Sequence, residues 1–232
     1  MQVRPKALLR DQYIFDFIPI DISQQAIDDL VHNMQDELTT LSVKPIVGDY
    51  FEVLANVVKD DRPHLLLFLG SNIGNFEYGA AKDMLGQLHA ILNPDDHCLI
   101  GFDLKKNPNI IRAAYNDSRG VTKAFNLNLL IRINRELRAD FRTDQFDFYA
   151  YYNPIGGDVR SFIVSLTDQQ VNIAGIGCTF EFSQGEVICT ELSKKYSLDD
   201  IEQLARDVGF AAPKHFLDDQ LYFVDSLWRC AK

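Results

Sequence analysis

The residues of this sequence that are most able to do chemistry follow a short apolar stretch. Residues 64–69 carry no acidic or Lys/Arg side chain, and Gly70-Ser71-Asn72-Ile73-Gly74-Asn75 comes directly after them. Two glycines and two asparagines in six residues allow a sharp turn, a close approach of the backbone to a ligand, and amide groups that form hydrogen bonds. The segment predicts either a binding loop or an ordinary turn between a strand and a helix.

Acidic side chains stand at the ends of three other predicted strands, namely Asp21, Asp49 and Asp103. A single aspartate in such a place is usually a turn residue or a helix cap. The carboxyl ends of parallel strands, however, lie at one edge of a sheet, and ligands bind outside that edge. Several polar strand ends in succession therefore favour a shared ligand of nucleotide type.

The elements that must position these residues alternate between strand and helix. Apolar patterns predict strands over residues 13–20, 43–47, 64–69 and 97–103, and helices over residues 23–41, 51–59 and 78–92. This order predicts a doubly wound α/β sheet, in which the strand at 64–69 is buried on both faces. Residues 1–12 read as the end of a helix that begins upstream.

The pattern changes after residue 104. It predicts helices over residues 107–115 and 121–141, an aromatic cluster over residues 146–152, and antiparallel strands over residues 159–166, 170–176 and 186–193. The aromatic cluster fits core packing or the lining of a substrate pocket. A helix over residues 198–208 and a strand over 221–228 then resume the first pattern. We therefore expect one domain from residues 1–104 and 195–232, with an α+β module inserted at 105–194.

Composition excludes several classes of function. The 232 residues carry a formal net charge of -10, which disfavours nucleic acid and anionic membranes as partners. Neither a membrane-spanning run nor a signal-peptide core is visible, and we expect a cytoplasmic monomer. The four cysteines and five histidines lack metal-ligand spacing, so that we expect no metal and mostly buried, reduced thiols.

Seven stretches together resemble the histidine Nα-methyltransferase family of ergothioneine biosynthesis, whose members use S-adenosylmethionine. Each stretch alone is weakly diagnostic, but they keep the order and nearly the spacing of that family over essentially the whole chain. They are Pro19-Ile20-Asp21-Ile22-Ser23, Gly48-Asp49-Tyr50, the run from Phe68 to Asn75, Gly101-Phe102-Asp103-Leu104-Lys105-Lys106, Ala114-Tyr115-Asn116-Asp117, the run from Phe125 to Phe141, and Gly185-Glu186 with the run from Thr190 to Tyr196.

The resemblance implies an incomplete Rossmann-like methyltransferase sheet with an inserted substrate-binding module. It implies that S-adenosylmethionine is the cofactor and that histidine or a related amino acid receives the methyl group on its α-amino nitrogen. It assigns the cofactor to Asp21, Asp49, Tyr50 and Gly70. It assigns the amino acid to Gly70, Asn72, Asn75, Tyr115, Glu191 and Ser193, with Asn75 at the α-amino group, Tyr115 at the carboxylate, and Glu191 and Ser193 at the imidazole. It provides no catalytic residue.

The sequence departs from this family at two places. The family's N-terminal helical region, first strand and glycine-rich cofactor loop have no counterpart here, so that we expect an N-terminally truncated chain with weak cofactor binding and poor solubility. Relatives that use histidine carry Glu-Met where this chain has Arg160-Ser161. This difference leaves another amino acid or a histidine derivative open as the substrate.

Two other interpretations remain open. The chain fits a truncated or non-catalytic remnant of such an enzyme, since the glycine-rich loop is not matched. It also fits another α/β nucleotide-binding enzyme, such as an oxidoreductase, because an acidic strand end at Asp21 suits any ribose. The absence of a G-x-G-x-x-G motif argues against the latter.

Overall fold

The computed structural model describes residues 15–35, 42–58, 62–211 and 213–232, and the predicted helical tail at 1–12 lies outside them. The helices are α1 (Gln24–Gln35), α2 (Tyr50–Val57), α3 (Tyr78–Ile91), α4 (Pro108–Tyr115), α5 (Val121–Leu137) and α6 (Leu198–Asp207), with 3-10 turns at Asn72–Asn75 and Thr143–Gln145. The strands are β1 (Asp16–Phe17), β2 (Ile20–Asp21), β3 (Ser42–Val43), β4 (Ile46–Val47), β5 (Leu65–Phe68), β6 (His97–Asp103), β7 (Phe146–Asn153), β8 (Asp158–Ser165), β9 (Gln169–Ile173), β10 (Cys178–Phe182), β11 (Val187–Lys194), β12 (Lys214–Leu217) and β13 (Phe223–Arg229).

The sheets have the mixed α/β arrangement that the sequence predicts. Four strands pair in the order β12-β13-β6-β5, with β5 parallel to β6 and the other pairs antiparallel. Two short parallel ladders, β1 with β3 and β2 with β4, form separately. Pro19, which has no N–H to donate, lies between β1 and β2, and its carbonyl accepts a hydrogen bond from Ile46 N at 3.0 Å. The predicted strand at 13–20 is therefore present in two pieces.

Helices α2, α3 and α6 contribute to the main hydrophobic core together with the four-stranded sheet. Its fully buried members include Leu85, Ile100 and Trp228. Leu66 and Phe68 of β5 pack against this core, whereas Leu65 is 48% exposed. The prediction that this strand is buried on both faces is therefore wrong within the described residues.

A second hydrophobic cluster lies in the predicted inserted module. Strands β11, β8 and β7 form a three-stranded antiparallel sheet, and β9 pairs with β10. The core of this part consists of Leu130, Phe141, Phe146, Ile163, Val171 and Ile173. The aromatic run is divided, because Phe146 is in this core while Tyr149 and Tyr151 are exposed. The boundaries at residues 104 and 194 stay a prediction.

Three strands, β7, β10 and β12, were not predicted, and helix α5 ends earlier than expected. The helix stops because Arg138 has a φ of 52°, in the left-handed region. The Asn134 side chain then bonds both the N–H and the carbonyl of Phe141 at 2.8 Å, which turns the chain away from the helix axis.

The cysteines only partly meet the expectation of burial. Cys98 and Cys230 are buried, but Cys178 and Cys189 are exposed, and all four are free thiols. Burial raises the pKa of Cys98 and of Cys230, so that both stay protonated at neutral pH. The prediction of mostly buried thiols therefore holds for only two of the four.

Candidate functional site

The loop of residues 70–75, here called the strand-end loop, leaves β5 with two residues in the left-handed region. Gly70 has a φ of +77° and Ser71 a φ of 61°, a conformation that glycine adopts without strain. Asp103 N donates to Ser71 Oγ at 3.1 Å, which ties the loop to the carboxyl end of β6. Asn72 Nδ2 donates to Leu69 O at 3.1 Å, so that the Asn72 side chain folds back on its own turn.

Gly74 lets the same loop lie directly against strand β11. A Cβ at this position would come within 2.8 Å of Lys194 O, a distance that no backbone tolerates. Asn75 follows, with an exposed side chain that makes no hydrogen bond to any residue in the described part of the chain. The Asn75 amide is therefore available to a ligand beside β11.

Two of the predicted amino-acid-binding residues meet around a buried lysine. Tyr115, at the end of α4, and Ser193, on β11, are joined by a 2.8 Å hydrogen bond between Oη and Oγ. Lys195 Nζ lies 2.8 Å from Tyr115 Oη, 2.9 Å from Ser193 Oγ and 2.7 Å from Asp103 Oδ2. These four residues, the Lys195 cluster, connect α4 and β11 to the end of β6.

Glu191 lies opposite Ser161 in the pairing of β11 with β8. Ser161 Oγ donates to Glu191 Oε2 at 3.2 Å, and the register between the two strands shifts between Cys189 and Glu191. Thr190, within that shift, donates to Asn126 Oδ1 at 2.6 Å. Glu191 Oε1 therefore has no hydrogen-bond partner among the described residues and is available to a ligand. The strand itself is fixed to α5 through Thr190.

Several residues of this network were not predicted from the sequence. Lys195, Asn126 and Thr190 had no assigned role, although Asn126 is only 6% exposed. An asparagine in an amphipathic helix is the signal that could have revealed a buried polar contact, because a buried amide requires partners. Its Nδ2 donates to Thr122 O at 3.0 Å, which completes that requirement.

An ion pair between Arg160 and Glu77 also joins β8 to the start of α3. Arg160 is on β8, and Glu77 directly precedes α3 and follows the strand-end loop by two residues. The Glu77 carboxylate raises the pKa of Arg160. The charge of the guanidinium is therefore paired with that of Glu77.

Asp21 and Asp49, two of the predicted cofactor-binding residues, adjoin one another at the ends of β2 and β4. Asp21 is exposed, and its Oδ1 accepts from Ser23 N at 2.8 Å. Asp49 caps α2, with Oδ1 accepting from Phe51 N at 2.9 Å. Because each carboxylate uses one oxygen in this way, the second oxygen of each has no hydrogen-bond partner within the described ranges. The Gly48 N–H joins the two strand ends by donating to Asp21 O at 3.0 Å.

Tyr50 packs beside these carboxylates. Its ring centroid lies 4.5 Å from that of Phe51, and its Oη lies 4.0 Å from Met84 Sδ of α3. Partial burial, followed by the charge of Asp49, raises the pKa of Tyr50, which keeps the phenol neutral. The ring is 37% exposed and can cover one face of a flat ligand.

The structure thus gathers the predicted site residues into two groups. In the first group, Gly70, Asn72 and Asn75 lie on the strand-end loop, Glu191 and Ser193 lie on β11 beside it, and Tyr115 on α4 is bonded to Ser193. Asp21, Asp49 and Tyr50 lie around β2, β4 and α2. Between the described residues, no hydrogen bond links Asp21 or Asp49 to the strand-end loop. The two groups are connected through the main core, against which Ile20 and Phe51 pack.

Within the ranges that the structure covers, no helix is long and apolar enough to cross a membrane. The same ranges contain no group of three or more histidine, cysteine or acidic side chains arranged to hold a metal ion.

A polar loop after a parallel strand, beside a cluster of hydrogen-bonding side chains, is typical of ligand-binding sites in α/β proteins. A family model described as "Histidine-specific methyltransferase, SAM-dependent" matches residues 5–230. The chain therefore belongs to this methyltransferase family, as the motifs predicted, and its mixed α/β sheets agree with a Rossmann-like methyltransferase fold.

Curated relatives agree with this membership. The chain is 33% identical over 180 residues to a histidine N-alpha-methyltransferase of Mycobacterium tuberculosis, an alignment that covers 78% of this chain and 56% of the relative. It is 33% identical over 193 residues to the protein of the same name from Mycolicibacterium smegmatis, covering 83% and 60%. The chain thus spans little more than half the length of these relatives.

A more distant relative is the ergothioneine biosynthesis protein 1 of Schizosaccharomyces pombe, which is 26% identical over 146 residues, covering 62% of this chain and 19% of that protein. Among solved structures, an S-adenosylmethionine-dependent methyltransferase from Clostridium acetobutylicum superposes with a TM-score of 0.47 at 9% identity, covering 98% of this chain and 89% of that one.

Proposed function

We propose that this chain binds an amino acid, histidine or a close relative of it, and takes part in the transfer of a methyl group to its α-amino nitrogen. The observation that carries the proposal is the contact between the strand-end loop and β11. The proposal is supported because this contact brings Gly74, and with it the next residue Asn75, against the strand that carries Glu191 and Ser193. Asn75, Glu191 and the Lys195 cluster supply the hydrogen-bond donors and acceptors that a zwitterionic amino acid requires.

The cofactor of this proposed reaction is S-adenosylmethionine, and the described residues fit its adenosine part. Asp21 and Asp49 each retain one unpartnered carboxylate oxygen, suited to ribose hydroxyls and to an amine. Gly70 leaves its surroundings open, since the nearest atom to a Cβ there would be 4.0 Å away. When bound, the cofactor supplies a methyl group that is already activated by a positively charged sulfur.

Because the cofactor supplies the activated methyl group, the protein's side chains have to orient the amino acid. The α-amino nitrogen must be neutral to donate its lone pair, and an amide such as that of Asn75 orients an amine without protonating it. Glu191 accepts an N–H from a polar side chain such as an imidazole, at a distance from the reacting nitrogen. Substrate selection and reaction are thereby assigned to different residues.

The function is tested with isotopically labelled S-adenosylmethionine at millimolar concentration and L-histidine, followed by mass spectrometry of the amino acid. We expect methylated histidine from the wild-type chain and a loss of at least about 100-fold in rate for Asn75→Ala, because orientation of the attacking nitrogen is lost. Asn109→Ala on the exposed surface of α4 is the control. An unchanged rate for Asn75→Ala would contradict the assignment.

Calorimetric titration with L-histidine separates this function from a second candidate, a non-catalytic remnant. Histidine binding without methyl transfer at any cofactor concentration would support the remnant. The absence of both binding and transfer would refute the amino-acid site itself.

A further inference from the structure

Lys195 is the most deeply buried charge of the candidate site. It is only 2% exposed, and its backbone is fixed because Lys195 N donates to Gly157 O at 2.7 Å. A Cβ at Gly157, which has a φ of +81°, would lie 2.3 Å from Lys195 O, so that this close approach requires glycine. The turn between β7 and β8 therefore holds the lysine against the end of β6.

The three protons of the ammonium group match three acceptors. Lys195 Nζ lies within 2.9 Å of Tyr115 Oη, Ser193 Oγ and Asp103 Oδ2. An ammonium group only donates, so that both hydroxyl oxygens act as acceptors toward Lys195. Each hydroxyl then has its own proton left to donate elsewhere.

In the described arrangement one of those protons is used between the two hydroxyls, since Tyr115 Oη and Ser193 Oγ are 2.8 Å apart. A bound ligand with two acceptor groups can replace that bond and take both protons. The amino acid proposed above has two such groups, a carboxylate and an unprotonated ring nitrogen. The inference that follows rests on that proposed function.

The local charge also suits an anion. Asp103 is shared by Lys195 and by Lys106, so that the three groups carry a net positive charge in an otherwise acidic chain. Burial lowers the pKa of Lys195, but Tyr115 and Asp103 outweigh burial and raise it overall. The ammonium group is therefore charged throughout the neutral range.

We propose that Lys195 is a positioning residue of the amino-acid site, which holds Tyr115 and Ser193 so that both hydroxyls donate to the bound amino acid. Its action is indirect, since it reaches the ligand through the two oxygens. A solely structural role, as an ion-pair link between the inserted module and β6, predicts a loss of stability without a change in ligand preference.

The test is calorimetric titration of the wild-type chain and of Lys195→Met with L-histidine and with L-histidinamide, which lacks the anionic carboxylate. We expect the wild type to prefer histidine by about 30-fold, and Lys195→Met to reduce this preference to about 3-fold. Lys194→Met is the matched control. Lys194 is the preceding residue and pairs with Asp158 Oδ1 at 3.1 Å, and we expect this variant to retain the wild-type preference.

A double-mutant cycle with Tyr115→Phe shows whether Lys195 acts through the Tyr115 hydroxyl. We expect the two substitutions together to weaken histidine binding by less than the sum of the two single losses, because Lys195 acts in part through the Tyr115 hydroxyl. Circular dichroism identifies any variant that is unfolded at the temperature of titration, and Lys195→Gln, which removes the charge but can still donate hydrogen bonds, then replaces Lys195→Met.

The outcomes separate this inference from the proposed function. A wild-type chain that binds histidine, combined with an unchanged preference in a folded Lys195 variant or with strictly additive losses in the cycle, would overturn the role of Lys195 alone. A wild-type chain that binds neither compound would overturn the proposed function and this inference together.

Discussion

The two groups of predicted site residues are built in different ways. Around Asp21 and Asp49, each carboxylate bonds backbone N–H groups two or three residues away. Around Lys195, which directly follows β11, the bonds join residues from β6, α4 and β11. Asp103 and Lys195, the most distant pair, are 92 positions apart in the sequence. The group around Asp21 and Asp49, the proposed adenosine side, is therefore organised by local turns. The group around Lys195, the proposed amino-acid side, is organised by the tertiary fold.

This difference implies that the two sides respond differently to substitution. A cap residue can be replaced at a small cost in stability, because its partners stay close to water. A charge buried in a network leaves its partner unpaired when it is removed, which costs several kcal/mol. Perturbations of the amino-acid side should therefore affect folding as well as binding.

The largest expected effect comes from Asp103→Ala. It removes the carboxylate that neutralises Lys195, which is 2% exposed, and we expect the free energy of unfolding to fall by about 3 kcal/mol. Asp147→Ala is the control, because Asp147 forms an exposed pair with Lys123 and should cost less than about 1 kcal/mol. Urea unfolding of both variants measures the difference, and equal losses would contradict the contrast drawn here.

A smaller effect, on binding, is expected from Glu191→Gln. The substitution keeps the shape of the side chain but removes its charge, and we expect affinity for L-histidine to fall by about 30-fold. Glu181→Gln, on exposed β10 of the same module, should leave affinity within about 2-fold. Calorimetric titration decides, and an unchanged affinity for Glu191→Gln would remove Glu191 from the site.

On the adenosine side, Asp21→Asn should weaken S-adenosylmethionine binding by about 10-fold, because an amide accepts fewer hydrogen bonds than a carboxylate. Histidine affinity and the melting temperature should stay unchanged, since the Ser23 N–H still finds an acceptor oxygen. Asp28→Asn on α1 serves as the control. A large fall in melting temperature for Asp21→Asn would show that this side is not locally organised.

The smallest effect concerns a local cap within the amino-acid side. Asp117 accepts hydrogen bonds from Val121 N at 3.0 Å and Thr122 N at 2.8 Å, and these bonds, that of Thr122 first, lower its pKa to about 2. Its stabilising effect is therefore present above the unfolded-state pKa, about 3.9, and is lost as the pH falls toward 2.

Thermal unfolding of the wild type and of Asp117→Asn between pH 6 and pH 2 measures this contribution. We expect the wild type to melt a few degrees higher at pH 6, with the gap closing below about pH 4. A gap that is constant with pH would contradict this role of the Asp117 charge.

The same contrast explains what could be predicted from the sequence. The turn at Gly70, the acidic strand ends and the alternation of β5 with α3 are local patterns, and they were predicted from neighbouring residues. The Lys195 cluster was not, because no local pattern indicates that residues 103, 115 and 195 meet. Strand β10 was not predicted although Cys178, Phe180 and Phe182 alternate with polar residues, because the alternation covers only five residues, four of which are exposed.

The most direct test is a crystal structure of the chain with S-adenosylhomocysteine and L-histidine. The account predicts the imidazole beside Glu191, the carboxylate beside Tyr115 and the α-amino nitrogen beside Asn75, with the adenosine held by Asp21 and Asp49. Histidine bound away from Glu191 and Tyr115, or an adenosine on the opposite side of the sheet from Asn75, would contradict it.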